Sequence, residues 1–354
     1  MSSEASIFDL SLEQLTLQLE RWGEPAYRAR QIWHGVYQRL VPDPDSMTDI
    51  PIGLRDQIKG RISFKNLTEA AIQYSEDGST EKTLFTLADG LQVEAVLMRY
   101  ANRNTVCISS QVGCAMGCTF CATGQMGYGR NLSSGEIVEQ VIRFAGQLAE
   151  QEKQITNVVV MGMGEPFHNY DAVLDALVRL NHPEGFNLGA RRFTISTVGL
   201  VPGIERFTRE GWRFNLAVSL HAATNTLRDQ LLPVNRRYPL EALIPACRQY
   251  VRRSGRRITF EWALIRGVND GLDQADALAG LISDFNCHVN LIPLNPTPEF
   301  DGDATTKKDA AIFLEKLTRR GISATMRLRR GINIRAGCGQ LATDRNPSPR
   351  KLLT

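Results

Sequence analysis

From about residue 105 onward the chain alternates short apolar segments with amphipathic ones, and this alternation constrains the fold more than any other feature. Strands are expected at TVCISS, TNVVVM, RRFTIST, FNLAVSL, ITFEWALI, HVNLIPL and SATMRLR. Helices are expected between them, including YDAVLDALVRL, DQADALAGLIS and a segment through about Arg320. A helix from about Ser133 opens with a capping box, in which Ser133 faces Glu136 three residues on. Strands separated by helices pair in parallel through right-handed crossovers, so the fold class is α/β. Such sheets and barrels carry their sites on loops at the carboxyl ends of strands.

Two different patterns precede this region. SLEQLTLQLERWG is apolar at helical spacing and stops at Gly23, and PAYRARQIWHGVYQRL opens with Pro25, which suits a first helical turn. VPDPDSM then breaks the pattern. TLFTLA and LQVEAVLM flank Asp89-Gly90, a two-residue hairpin signal. The expected division is a helical accessory module over 1–75, a hairpin and linking strand over 76–106, a core over 107–345 and a basic tail over 346–354. Hydrophobic residues at 43% and charged residues at 22% exclude wholesale disorder and a fibrous repeat. No apolar run reaches the roughly 18 residues that span a bilayer, so no membrane association is expected. The acidic start MSSEASIFDL lacks the basic flank of a secretory signal. A cytoplasmic location is the expectation.

The net charge of +3 hides an asymmetry. From Arg319 to the end, nine Arg or Lys face one acid, Asp344, so this stretch carries +8 and the rest −5. A second basic group, Arg248, Arg252, Arg253, Arg256 and Arg257, precedes a strand. Basic patches on a nearly neutral chain suit a polyanion, and solvated helix faces suit the same charges.

Seven cysteines are present, and Cys107, Cys114, Cys118 and Cys121 fall within fifteen residues. One tight cluster indicates a metal or redox centre rather than a disulfide scaffold. Cys114, Cys118 and Cys121 form C-x3-C-x2-C in a glycine-punctuated loop directly after a strand. Structural zinc takes four closed ligands, so a zinc reading needs Cys107, Cys338 or a histidine to complete it. Three thiolates instead suit a cubane iron–sulfur cluster with one iron left for a non-protein ligand.

Other polar groups sit where strands end. MGMGEP places Gly162, Gly164 and Glu165 after one strand; Ser196 follows in TISTVG, Ser219 and His221 in AVSLHA, and Asn295 in LIPLNP. Each alone also reads as a turn or helix cap, but together they suit one ligand mouth. Cys338 lies between Gly337 and Gly339, which marks a mobile loop, and Cys107 lies on the strand feeding the cysteine loop. A transient disulfide between these two thiols is one reading, and inert cysteines the other. Cys247 and Cys287 read as buried and inert. Glu94 interrupts the apolar strand LQVEAVLM, as a surface-facing acid also does.

C-x3-C-x2-C resembles the radical S-adenosylmethionine (SAM) superfamily. There the amino and carboxylate groups of SAM chelate the fourth iron, and reductive cleavage gives a 5′-deoxyadenosyl radical. SSQVGCAMGCTFCATG, VVMGMGEP, RRFTISTVGLVP, SLHA, LIPLNP and AGCGQLA, with PAYRARQIW and SMTDIPIGLRDQI ahead of them, resemble the RlmN/Cfr family of radical SAM RNA methyltransferases, and its RlmN branch most closely. The resemblance implies a partial (β/α)6 barrel, with the small helical accessory domain over 1–75 and the Arg-rich tail binding RNA. It implies Cys114, Cys118 and Cys121 as ligands of one [4Fe-4S] cluster, and Gly164, Glu165, Ser196, Ser219, Leu220, His221 and Asn295 as the SAM site. Cys338 matches the cysteine that becomes S-methylated, Cys107 its disulfide partner and Glu94 the proton acceptor. Ile332, Asn333, Arg335 and Gly337 stand where the family more often has Asp, Asp, Asp and Ala.

The implied reaction is methylation of adenine carbon 2 in 23S rRNA and at adenosine 37 of tRNA, with two SAM consumed per turnover. The implied partners are those RNAs and an electron donor such as flavodoxin or ferredoxin, with the chain acting as a monomer. Methylation at carbon 8, as in the Cfr branch, is the nearest rival. A zinc-stabilised RNA-binding protein without catalysis is the rival from another class.

Overall fold

The computed structural model describes residues 5–327 and 330–343. The chain opens with a short strand β1 (Ala5–Ser6), which pairs in parallel with β2 (Ile62–Ser63). Between them lie α1 (Leu12–Arg21), α2 (Tyr27–Tyr37) and α3 (Ile52–Lys59). α1 begins on a capping box between Ser11 and Gln14, and it buries Leu15 and Leu19. α2 buries Ile32, Trp33 and Val36. These side chains join the main core, so the helical segment packs on the rest of the chain.

One ten-stranded sheet organises the remainder of the chain, in the order β14-β13-β12-β11-β10-β9-β6-β5-β4-β3. Its antiparallel side comprises β3 (Leu67–Tyr74), β4 (Thr80–Leu87), β5 (Gln92–Tyr100) and β6 (Arg103–Cys107). Asp89 and Gly90 make the expected turn between β4 and β5, with Gly90 at φ +82°. Where the sequence suggests helical structure through about residue 75, Leu67–Tyr74 is a strand. Its first residue is buried and the rest are exposed, so this edge strand has no apolar alternation to reveal it.

The parallel side runs β6, β9 (Asn157–Val160), β10 (Phe193–Thr197), β11 (Asn215–Ser219), β12 (Ile258–Leu264), β13 (Cys287–Pro293) and β14 (Ala324–Met326). The helices α5 (Ser134–Ala149), α6 (Tyr170–Asn181), α7 (Val201–Glu210), α8 (Asn225–Leu231), α9 (Leu240–Ser254), α10 (Leu272–Ile282) and α11 (Lys307–Arg319) lie in the crossovers. The result is the expected partial (β/α)6 barrel, with β14 as a further parallel strand. α5 carries the expected capping box at Ser133 and Glu136. β10, β11 and β12 bury most of their residues, because helices cover the sheet.

Beyond β14, Arg327 donates its backbone N–H to the Leu291 carbonyl at 2.8 Å. Arg330 then reaches the Arg99 carbonyl at 3.3 Å and lies over the Tyr100 ring at 4.4 Å. Arg327 thus touches β13 and Arg330 touches β5. The basic tail over 346–354, with Arg329 ahead of it, lies outside the described residues. Among the described residues no helix is long and apolar enough to cross a membrane.

Candidate active site

The cysteine loop is built on a short antiparallel ribbon, β7 (Gln111–Gly113) with β8 (Tyr128–Asn131), and the single-turn helix α4 (Ala122–Gln125). Gly113 has φ +70°, and a Cβ there would lie 2.0 Å from the Gly127 carbonyl oxygen. Only glycine therefore lets the loop close, with the Cys114 N–H donating to that carbonyl at 2.8 Å. The Thr119 N–H donates to the Leu231 carbonyl at 3.1 Å, which ties the loop to α8. The Ala122 N–H donates to Gly339 at 2.8 Å, and Thr123 Oγ1 to Leu341 at 2.6 Å. The segment that carries Cys338 is thus hydrogen-bonded to the loop that carries the other thiols.

Cys114, Cys118 and Cys121 line one cavity at the carboxyl ends of the parallel strands. Burial pushes all three thiols up, and for Cys118 the neighbouring Cys121 and Cys114 add to the effect. A cationic centre reverses that penalty by stabilising the thiolates. Among the described residues no group of three or more His, Cys, Asp or Glu side chains closes on a single-ion position. Three thiols spread along one wall fit a polynuclear iron–sulfur group, with one thiolate per iron.

The strand ends supply a second set of groups to the same cavity: Gly164, Glu165, Ser196, Ser219, His221 and Asn295. Glu165 is buried, and its carboxylate accepts from the Phe167 N–H at 3.0 Å and the Val198 N–H at 2.8 Å. Burial raises its pKa to about 7, against the hydrogen bonds from Thr197, Val198 and Phe167. Ser196 and Ser219, on adjacent strands, bring their hydroxyls to 3.4 Å. His221 Nδ1 accepts from the Ala263 N–H at 2.9 Å, so the ring proton sits on Nε2. Burial lowers its pKa to about 3, with Arg228 adding to the shift, so the ring is neutral. Asn295 Oδ1 is buried and has no hydrogen-bond partner among the described residues. An orphaned acceptor in a cavity wall fits a bound molecule that presents an N–H or O–H donor. Leu220 differs from the others: its side chain is in the core, and its N–H donates to the Glu261 carbonyl at 3.1 Å.

Cys107 and Cys338 line this cavity as well, and all seven cysteines are free thiols. Burial pushes the Cys107 thiol up to about 12, with Cys338 adding and Arg327 opposing. Cys338 is exposed, and Arg327 Nη1 lies 3.5 Å from its Sγ. Glu94 stands apart from the cavity wall. Its carboxylate pairs with Lys82 Nζ at 2.8 Å and accepts from the Ala342 N–H at 3.0 Å. It therefore anchors the chain just beyond Cys338, and it is buried rather than surface-facing. Cys247 and Cys287 are buried.

Three participants carry no expectation from sequence. Glu261 lines the cavity from within β12, and its Oε2 accepts from Asn290 Nδ2 at 2.7 Å. An acid in the apolar run ITFEWALI is the same signal that singled out Glu94. Arg327 follows β14 and belongs to the basic stretch, where nothing distinguishes it from its neighbours. Arg228 is fully buried and donates to Val198 O at 2.6 Å, Asn235 Oδ1 at 2.9 Å and Leu220 O at 3.2 Å. It binds the ends of β10 and β11 to α8, and burial lowers its pKa to about 10. The segment TNTLRDQLL contains no hint of that role.

Comparison with known proteins shows the family. The model of the Radical SAM superfamily matches residues 108–278, and that of the ribosomal RNA large subunit methyltransferase N-terminal domain matches residues 5–63. A protein of Chloroflexus aurantiacus named probable dual-specificity RNA methyltransferase RlmN is 48% identical over 347 residues, covering 95% of this chain and 92% of that one. A protein of the same name from Geobacillus kaustophilus is 46% identical over 336 residues, with the same coverage of 95% and 92%. The crystal structure of a radical SAM methyltransferase from Sphaerobacter thermophilus superposes with a TM-score of 0.93 at 50% identity, covering 95% of this chain and 99% of that one.

Proposed function

Since the chain belongs to the RlmN/Cfr family of radical SAM RNA methyltransferases, and is thus a SAM-dependent enzyme with a [4Fe-4S] cluster, we propose that it methylates carbon 2 of an adenosine in 23S rRNA and of adenosine 37 in tRNA. The reading as a zinc-stabilised binder loses its ground with that membership. Cys114, Cys118 and Cys121 hold the cluster. Gly164, Glu165, Ser196, Ser219, His221 and Asn295 hold SAM, with Leu220 setting the backbone between Ser219 and His221. Glu165 receives the amino group of SAM and Asn295 Oδ1 a donor, which gives the orphaned acceptor its partner.

Carbon 2 of adenine is electron-poor and does not attack a sulfonium methyl group directly. The bound cluster, given one electron, supplies a 5′-deoxyadenosyl radical from SAM. Cys338 takes a methyl group from a first SAM, and the radical abstracts hydrogen from that S-methyl group. The resulting carbon-centred radical on Cys338 adds to carbon 2, and Glu94, or a water it orients, accepts the ring proton. Cys107 then attacks the Cys338 sulfur. The Cys338 S–CH2 bond breaks as the disulfide forms, the former methylene carbon takes a proton, the unpaired electron would return to the centre that supplied it, and the product leaves. Reduction of the disulfide resets the pair. A flavodoxin or ferredoxin serves as electron donor, and the chain works as a monomer.

The single observation that carries this reading is the shared cavity: two cysteines outside the C-x3-C-x2-C loop face the same space as the three within it. A cluster that only transferred electrons would need neither. The test is nucleoside analysis of 23S rRNA fragments and tRNA after incubation with anaerobically reconstituted protein, reductant and SAM. 2-Methyladenosine is expected, and it should be lost in Cys338→Ala while iron content stays. 8-Methyladenosine would transfer the chain to the carbon-8 branch, and no methylated adenosine on either RNA would refute both.

A further inference from the structure

The opposite end of the barrel carries a second charged feature. Consecutive parallel strands β10, β11 and β12 begin side by side. The residues entering them therefore converge at the amino end, away from the thiol-lined cavity. Arg191 and Arg192 precede β10, Arg213 precedes β11, Arg253 lies in the last turn of α9, and Arg256 lies between α9 and β12. All five line one surface recess, with Trp212 and Tyr250 on its wall and no Asp or Glu among its lining residues.

Two features separate this recess from an ordinary solvated face. Arginines nearby on α7 and α9 are paired, Arg206 with Asp171 and Glu210, and Arg248 with Asp284. Among the described residues none of the five recess arginines has an ion pair. The closest acid in sequence, Glu210, is taken by the Tyr170 hydroxyl at 2.6 Å, Trp212 Nε1 at 2.6 Å and Arg206. Asn215, the first residue of β11, ties two of these arginine positions together. Its Nδ2 donates to the carbonyls of Arg191 and Phe193 at 2.8 and 2.9 Å, while its Oδ1 accepts from Arg256 Nη2 at 2.5 Å. One guanidinium is thus oriented, and the other four arginines are exposed around it. Bringing like charges together without counter-charges is unfavourable unless an anion completes the set. Dipole compensation at a helix end accounts for Arg253, in the last turn of α9, but not for Arg191, Arg192, Arg213 or Arg256.

We propose that this recess is a second RNA contact, which binds backbone phosphates of the substrate at a distance from the modified base. It rests on the reading of the protein as an RNA methyltransferase. Planar guanidinium groups suit bidentate capture of phosphate, and the half-buried Trp212 offers an apolar face beside them. The contact serves long, folded RNA. On this proposal a short hairpin held at the thiol-lined cavity leaves the recess empty, whereas an intact tRNA engages both.

The test compares full-length tRNA with its isolated anticodon stem-loop in equilibrium binding to the holoenzyme across a salt series. The variants are Arg192→Ala/Arg213→Ala/Arg253→Ala and the matching triple Lys substitution, all at exposed positions. The Ala variant should bind tRNA about tenfold or more weakly, with the slope of log K against log salt smaller by about 2, as loss of three phosphate contacts requires. The Lys variant should recover most of the slope, and stem-loop affinity should stay within about twofold in both. Unchanged tRNA binding, or equal losses on tRNA and stem-loop, would overturn the recess as a distal contact. Failure of the wild-type holoenzyme to bind either RNA would instead overturn the functional reading itself.

Discussion

Asn295 Nδ2 donates to the Cys338 carbonyl at 3.1 Å, so a residue at the carboxyl end of β13 holds the loop that presents the exposed thiol. The contact is tight: a Cβ on Gly337 would lie 2.6 Å from the same Nδ2. Asn295 thus holds the thiol loop with one amide atom, while the other, the buried Oδ1, is the acceptor that the proposed function assigns to SAM.

Asn295→Ala should weaken SAM binding and slow S-methylation of Cys338, each by roughly 3- to 10-fold, the range for one lost hydrogen bond. Gly337→Ala should do the same in milder form by displacing the amide. Equilibrium dialysis with SAM, and intact-protein mass spectrometry for the added methyl group, measure the two effects. Unaltered values in both variants would mean that the Asn295–Cys338 contact has no part in either step.

Cys107 shares the cavity with Cys338, and the proposed cycle uses it to resolve the covalent intermediate. Cys107→Ala should therefore stop after one turnover and leave RNA covalently attached to the protein. A denaturing gel, with nuclease digestion and mapping of the adduct to Cys338, reads this out. Normal multiple turnover without any adduct would remove Cys107 from the cycle.

The buried Lys82–Glu94 pair separates anchoring from proton transfer. Glu94→Gln alone leaves the Lys82 charge buried and should destabilise the fold by about 3–5 kcal/mol. Adding Lys82→Met should restore most of that stability in denaturant unfolding. If Glu94 accepts the ring proton, methylation stays depressed in the restored double variant. If activity returns with stability, Glu94 acts only by anchoring Ala342.

His221 predicts a pH dependence. Burial holds its folded pKa at about 3, below its ordinary value of 6.5. Between these limits the unfolded chain binds the proton and the folded chain does not, so His221 contributes stability above pH 6.5 that is lost as the pH falls. The slope from this residue is about 1.4 kcal/mol per pH unit. His221→Asn, which keeps an acceptor for the Ala263 N–H, should flatten urea-unfolding stability between pH 6.5 and 4.5 relative to wild type. Identical slopes in the two proteins would contradict a buried neutral ring.

Much of the candidate site was legible in the sequence. The cysteine loop, MGMGEP, TISTVG, SLHA and LIPLNP are local signals, because each places small or polar residues where an apolar strand stops, and a parallel sheet gathers such ends on one rim. β3 was hidden because an exposed edge strand has no alternation to display. Arg228 was hidden because burial of a charge depends on acceptors from other segments, here Val198, Leu220 and Asn235. The partners of Glu94 were hidden for the same reason: Lys82 lies across a strand pair, and Ala342 is far along the chain.

The sequence by itself determined the α/β alternation, the three-thiol loop and the strand ends that surround it, since these depend on residue type and short-range spacing. Tertiary structure alone decided that Cys338 returns to the rim occupied by Cys107, and that five arginines meet at the other end of the strands. Both outcomes depend on which distant segments the sheet order brings together, and pairing across the sheet leaves no mark on local composition.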